Sequence, residues 1–143
     1  MKTINPYLNF NGNTEEAFNF YKSALGGEFA SVVRFKDTPE AGKVPAKDHD
    51  KIMHIALPLT NGTMLMGTDT LESMGQKLSM GNNFLLSIST ENEEETDKIF
   101  KALSAGGVVM VPPSKQFWGA YFCMFTDKFG VQWMASYDKN NQN

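Results

Sequence analysis

A chain of 143 residues with 41% hydrophobic and 20% charged residues can bury a core without cross-links, and its net charge of −3, with no dense run of Lys or Arg, excludes the usual means of neutralising nucleic-acid phosphates. Cys123 is the only cysteine, which excludes an intrachain disulfide and a cysteine metal cluster. No stretch approaches the ~18–20 apolar residues that span a bilayer, and the opening MKTINPYLNF lacks the apolar segment of a signal peptide, so the expected setting is cytoplasmic, with no membrane and no nucleic-acid partner.

NPYLNF (5–10) is short, apolar and aromatic, and reads as a strand. NGNT (11–14) is a turn in which Thr14 can cap the helix EEAFNFYKSAL. Ala17, Phe20, Tyr21 and Ala24 give that helix one apolar face, and Gly26-Gly27 stops it. EFASVVRF (28–35) is the second strand. KDTPEAGKVPAKDHD (36–50) carries two prolines and a glycine and reads as an exposed loop, with His49 solvated. KIMHIALPL (51–59) is the third strand, with Pro58 marking an edge or bulge near its end. Asn61-Gly62 turns the chain into TMLMGTD (63–69), and Asp69 is placed to cap the next turn.

The pattern then recurs. FLLSIST (84–90) is a strand, and ENEEETDKIFKALSA (91–105) is a helix whose Thr96, Ile99, Phe100 and Leu103 share a face, stopped by Gly106-Gly107. VVMV (108–111), AYFCMFT (120–126) and VQWMAS (131–136) are strands, with PPSKQFWG (112–119) a loop and Asp127 bonding its own turn in TDKFG. The two helix faces superpose with a shift of 79 residues. Strand–helix–three strands, twice, implies duplication. The fold class is α+β: a first module over 1–70, a connector over 71–83, a second module over 84–138 and a frayed tail over 139–143.

The stretches PYLNFNGNTEEAFNFYKSALGGE, KIMHIALPL, GTMLMGTD, GGVVMVPP, FWGAYF and TDKFGVQW resemble, in order and spacing, the vicinal oxygen chelate superfamily of glyoxalase I, bleomycin-resistance proteins and extradiol dioxygenases. Within it the chain looks most like the PhnB-like branch, the 3-demethylubiquinone methyltransferase-type domain. The resemblance implies two βαβββ modules forming a cupped mixed sheet with ligands inside, helices outside, and a homodimer. It also implies one divalent ion held by three or four His, Glu or Gln residues from the first and last strands of each module.

Counted onto this sequence, those positions fall at Pro6, Met66, Leu85 and Met134, and a one-residue shift brings in only Tyr7 as a conceivable ligand. Thioethers and alkyl groups are poor donors to hard cations. No metal and no cofactor is therefore expected, and metal-dependent catalysis of the superfamily's usual type is not expected either. Strand alternation puts Val131, Trp133 and Ala135 under a helix, and Gln132, Met134 and Ser136 inside the cup, facing the same way as Met64 and Met66. The same alternation leaves Met53, Ile55, Leu57 and Leu59 on the helix side and His54 facing the cup, either as a core histidine hydrogen-bonded to a neighbour or as an acid, base or ligand anchor. Trp118, on a loop after two prolines, is a candidate ligand lid or dimer contact and equally a plug for the core, and Cys123 is expected to be an inert buried thiol. The expected ligand-binding set is His54, Met64, Met66, Trp118, Gln132 and Met134, suited to a small apolar or aromatic molecule. The alternatives are an enzyme using His54, the sole catalytic candidate, and a structural homodimer without ligand.

Overall fold

Polar–apolar alternation along each strand decides which face meets a helix. The computed structural model describes residues 2–140. Its strands are β1 (Tyr7–Phe10), β2 (Ser31–Arg34), β3 (Ile52–Pro58), β4 (Met64–Asp69), β5 (Leu86–Ser89), β6 (Val108–Lys115), β7 (Tyr121–Thr126) and β8 (Gln132–Tyr137); its α-helices are α1 (Thr14–Leu25) and α2 (Glu93–Leu103). The strands form two four-stranded sheets, ordered β1-β4-β3-β2 and β5-β8-β7-β6. In each, one parallel pair (β1 with β4, β5 with β8) joins an otherwise antiparallel ladder. The chain divides into two compact units between Ser79 and Met80. Of the tail, residues 141–143 lie outside the described residues.

In the first unit Leu8, Phe10, Ile55, Leu57 and Leu65 are buried on the face that carries Ala17, Phe18 and Tyr21 of α1. Phe18 joins that core where the helical spacing favoured Phe20, which is half-buried. Gly67 is what lets α1 settle: a Cβ there would stand 2.6 Å from the Phe18 ring. In the second unit Cys123, Phe125, Trp133 and Ala135 are buried with Thr96 and Leu103 of α2, and the Phe100 and Phe125 rings meet edge-on at 5.8 Å. The expected placement of Trp133 and Ala135 beneath a helix holds.

The two helices begin differently. Asn92 caps α2 from its own side chain, accepting from Glu95 N at 2.7 Å, while Glu95 Oε1 accepts from Glu91 N at 3.0 Å. The residue before α1, Asn13, makes no such bond. Thr14 does not cap either. The cap comes from Asp69 at the end of β4, whose Oδ1 accepts from Gly12 N (2.9 Å), Thr14 N (3.1 Å) and Thr14 Oγ1 (2.6 Å), while Oδ2 accepts from Ile52 N (2.8 Å). Asp69 therefore ties α1 to β3 and β4 instead of closing its own next turn.

Two loop expectations need correcting. Residues 36–50 do not hang in solvent: three 3₁₀ turns run through them, and Val44 and Asp48 are buried. His49 is not solvated, because its Nε2 donates to Val44 O (2.8 Å) and Ala41 O (3.1 Å), pinning the loop to itself. PPSKQFWG is not all loop: β6 continues to Lys115 through Pro112 and Pro113. Register shifts flank Val111, and β6 is an edge strand, the setting in which a ladder tolerates proline. Pro58 ends β3 opposite Met64, beyond Ala56, where the pairing with β2 stops.

Candidate functional site

The face of the first sheet turned away from α1 carries Tyr7, Met64, Met66, Thr68, His54 and Ala56. A bulge in β3 shapes it. Val33 pairs with His54 but Arg34 pairs with Ile52, so Met53 is an extra residue without a partner in β2. The extra residue resets the alternation. Ile52 is buried, and Met53 lines a cavity instead of joining Ile55 and Leu57 on the helix side as alternation predicts.

That cavity measures about 420 Å³. Phe35, Val44, Met53, Leu71 and Met74 supply its apolar wall, and Thr68 and Asp69 also line it. Lys43 and Glu40, ion-paired at 3.0 Å, sit on the loop side. A buried carboxylate fastens the two segments that make the walls: Asp48 accepts from Lys51 Nζ (2.8 Å) and Ser73 Oγ (2.6 Å). Those two hydrogen bonds, Lys51 first, hold the Asp48 carboxyl below the usual carboxylate range. Sequence reading missed this cavity because its walls come from two stretches that look like polar connections. The signal was there in the isolated apolar residues Phe35, Val44, Leu71 and Met74 inside them.

Next to the cavity, Thr68 Oγ1 donates to Met53 O at 2.7 Å. One step further on the same face the Tyr7 hydroxyl and His54 Nδ1 share a hydrogen bond of 3.1 Å, with ring centroids 5.7 Å apart. Burial raises the Tyr7 phenol above its ordinary value, against a smaller lowering by the Thr68 hydroxyl. Met64, Met66 and His54 thus share a face of the first sheet. Gln132 and Met134 lie in the second unit on the face turned from α2, with Met124 paired across from Met134. Trp118 sits at the β6–β7 turn, 53% exposed, edge-on to Phe117 and Phe122. Cys123 is buried, and burial raises its thiol above the ordinary value.

Strand pairing sets Met66 beside Tyr7 of β1 and Met134 beside Ser87 of β5. The donors on the open face of the first sheet are one imidazole, one phenol, the Thr68 hydroxyl, already bonded to Met53 O, and thioethers. Among the described residues no three of His, Cys, Asp and Glu converge. This donor set does not fit a hard divalent ion, which takes oxygen and nitrogen ligands.

Two four-stranded mixed sheets, each carrying one helix, make the fold of glyoxalase/bleomycin resistance/dioxygenase proteins. A glyoxylase/bleomycin resistance protein/dioxygenase domain from Frankia superposes with a TM-score of 0.67 over 99% of this chain and 96% of that one, at 13% identity. Within that fold, the chain belongs to the family described as 3-demethylubiquinone-9 3-methyltransferase, whose model matches residues 2–135. Protein PA1353 from Pseudomonas aeruginosa is similar, with a TM-score of 0.85 and 37% identity covering 96% of this chain and 98% of that one. So is a putative 3-demethylubiquinone-9 3-methyltransferase, PhnB protein, from Bacillus cereus, with a TM-score of 0.76 and 28% identity covering 95% and 99%.

Proposed function

We propose that this PhnB-like chain binds a small apolar or aromatic molecule against the first sheet, without a conventional chelated divalent ion, in a cytoplasmic homodimer. The observation that carries the reading is the cavity of about 420 Å³ walled by Phe35, Val44, Met53, Leu71 and Met74. Small-molecule sites run from roughly 300 to 1,000 Å³ and are mostly apolar. Methionine suits them because an unbranched thioether adapts to the shape of its guest, and Met64 and Met66 extend the same chemistry along β4. A second copy is favoured by the exposed apolar residues of the edge strand β6 and its turn, Val108, Val109, Met110 and Phe117. No helix among the described residues is long and apolar enough to cross a membrane.

Thermal unfolding of the full chain with ethylbenzene or indole tests the binding. A guest that binds only the folded state raises Tm. Met53→Glu, which puts a charge on the cavity wall, is expected to remove that rise while leaving the protein folded. No rise with any apolar aromatic probe, or a rise unchanged in Met53→Glu, would defeat the reading.

A further inference from the structure

An apolar cavity alone does not orient its guest; a few placed polar groups do that. Most of the polar side chains that line this one are already engaged. Thr38 Oγ1 donates to Phe35 O at 2.8 Å, Thr68 Oγ1 donates to Met53 O, and both Asp69 oxygens accept from α1 and β3. Lys43 and Glu40 answer each other. Gln76, which lines the cavity with Leu71, differs. Its backbone N–H donates to Leu71 O at 3.1 Å, and its side-chain Oε1 accepts from Leu71 N at 2.7 Å. A backbone N–H can only donate, so the oxygen is the end of the amide turned to Leu71, and the nitrogen is the end left over. Nε2 shares its carbon with Oε1 and so stays beside the wall that Leu71 forms, and it meets no protein partner among the described residues. Gln76 is exposed, which puts it where the cavity opens.

We propose that Gln76 is the polar anchor of this site: Oε1 stays on Leu71 N, and Nε2 donates to an uncharged carbonyl oxygen of the bound molecule. One neutral donor at the opening of an apolar cavity selects a class of guest. That class is a neutral aromatic molecule with a carbonyl at one end, its ring against Phe35, Val44 and Met53 and its oxygen held at the opening. The same skeleton without the oxygen ranks lower, because it covers Nε2 without bonding it. A carboxylate ranks lower too, because its charge must compete with Glu40 for Lys43 while it leaves water. The inference rests on the binding reading above and adds the identity of the polar contact.

The test uses three probes of one skeleton, ethylbenzene, acetophenone and benzoate, titrated into the full-length chain. Acetophenone is expected to bind roughly five- to tenfold tighter than ethylbenzene, the worth of one net hydrogen bond, with benzoate weakest. Gln76→Glu keeps an oxygen for Leu71 N and turns the donor into an acceptor, so it should erase the preference while keeping ethylbenzene. Gln76→Leu, which brings no charge, should erase it as well. Lys43→Met should leave it intact. In the native protein the side-chain NH₂ resonance of Gln76, assigned by its loss in Gln76→Glu, should move with acetophenone more than with ethylbenzene. Equal affinity for ethylbenzene and acetophenone overturns this inference and leaves the apolar site standing. So does a preference that survives in Gln76→Glu or Gln76→Leu, a preference lost in Lys43→Met, benzoate binding tightest, or an NH₂ resonance that acetophenone does not move. No binding of either neutral probe overturns both.

Discussion

The two units share a plan and differ in what ties the helix to the sheet. In the second unit α2 is capped by Asn92 from within its own first turn, and the Thr90 and Thr96 hydroxyls meet at 2.6 Å beneath it. In the first unit the helix start has no local cap and depends on Asp69, 55 residues further along the chain. The connections differ in the same sense. Between β2 and β3 the chain inserts residues 35–51, and that excursion walls a cavity; between β6 and β7 it turns through only residues 116–120. A duplicated module can thus keep its sheet order while one copy moves its polar support into the interior and gains room beside it. The other copy stays locally self-sufficient.

The sharpest way to break this contrast is to remove each cap. Asp69→Ala strands the buried donors of Thr14 and Ile52 and should cost on the order of 3 kcal/mol or more, at ~1–3 kcal/mol for each orphaned group. Asn92→Ala removes one exposed local cap and should cost about 1 kcal/mol. Urea unfolding of both variants checks this, and equal costs would mean that the two helix ends are supported alike. Gly67→Ala comes next: the added methyl drives into the Phe18 ring, and overpacking of this kind costs about 1–3 kcal/mol. The smallest effect belongs to the second unit, where Tyr121 donates to Asp97 at 2.6 Å and that bond, with burial, pushes the phenol up to about 12. The folded value lies above the unfolded one, so the tie is complete below about pH 10 and is lost as pH rises through about 12. Phenolate absorbance should show Tyr121 titrating late, and Asp97→Asn should return it toward ordinary tyrosine. An unchanged titration in that variant would remove Asp97 as the cause.

Features set by neighbours in sequence were readable without coordinates. Ala17 and Tyr21, Thr96 and Leu103 follow helical spacing, and Trp133, Ala135 and Met134 follow strand spacing. All lie on the faces those periods assign. Features set by distant residues were not. Asp69 looks like a turn residue until Gly12, Thr14 and Ile52 are brought to it. Met53 looks like a core residue because alternation counts positions and cannot register an unpaired one. His49 looks solvated in AKDHD, yet its partners are backbone carbonyls five and eight residues earlier, which no side-chain pattern announces. For the candidate site, His54, Met64 and Met66 could be placed on one face from alternation. Tyr7 as the partner of His54 required the parallel pairing of β1 with β4, and the cavity required the folded loop.

Asp69 also sets an order of events during synthesis. Chains emerge from their N-terminal end, so α1 leaves the ribosome long before the carboxylate that completes its first turn. Until β4 has been made, the amides of Gly12 and Thr14 have only water to bond, and a segment as short as 12 residues is marginal as an isolated helix. The first half of this chain therefore cannot mature piece by piece. A nascent fragment that stops short of Asp69 should leave α1 largely unwound, and adding the remaining strand should close helix and sheet together in one step.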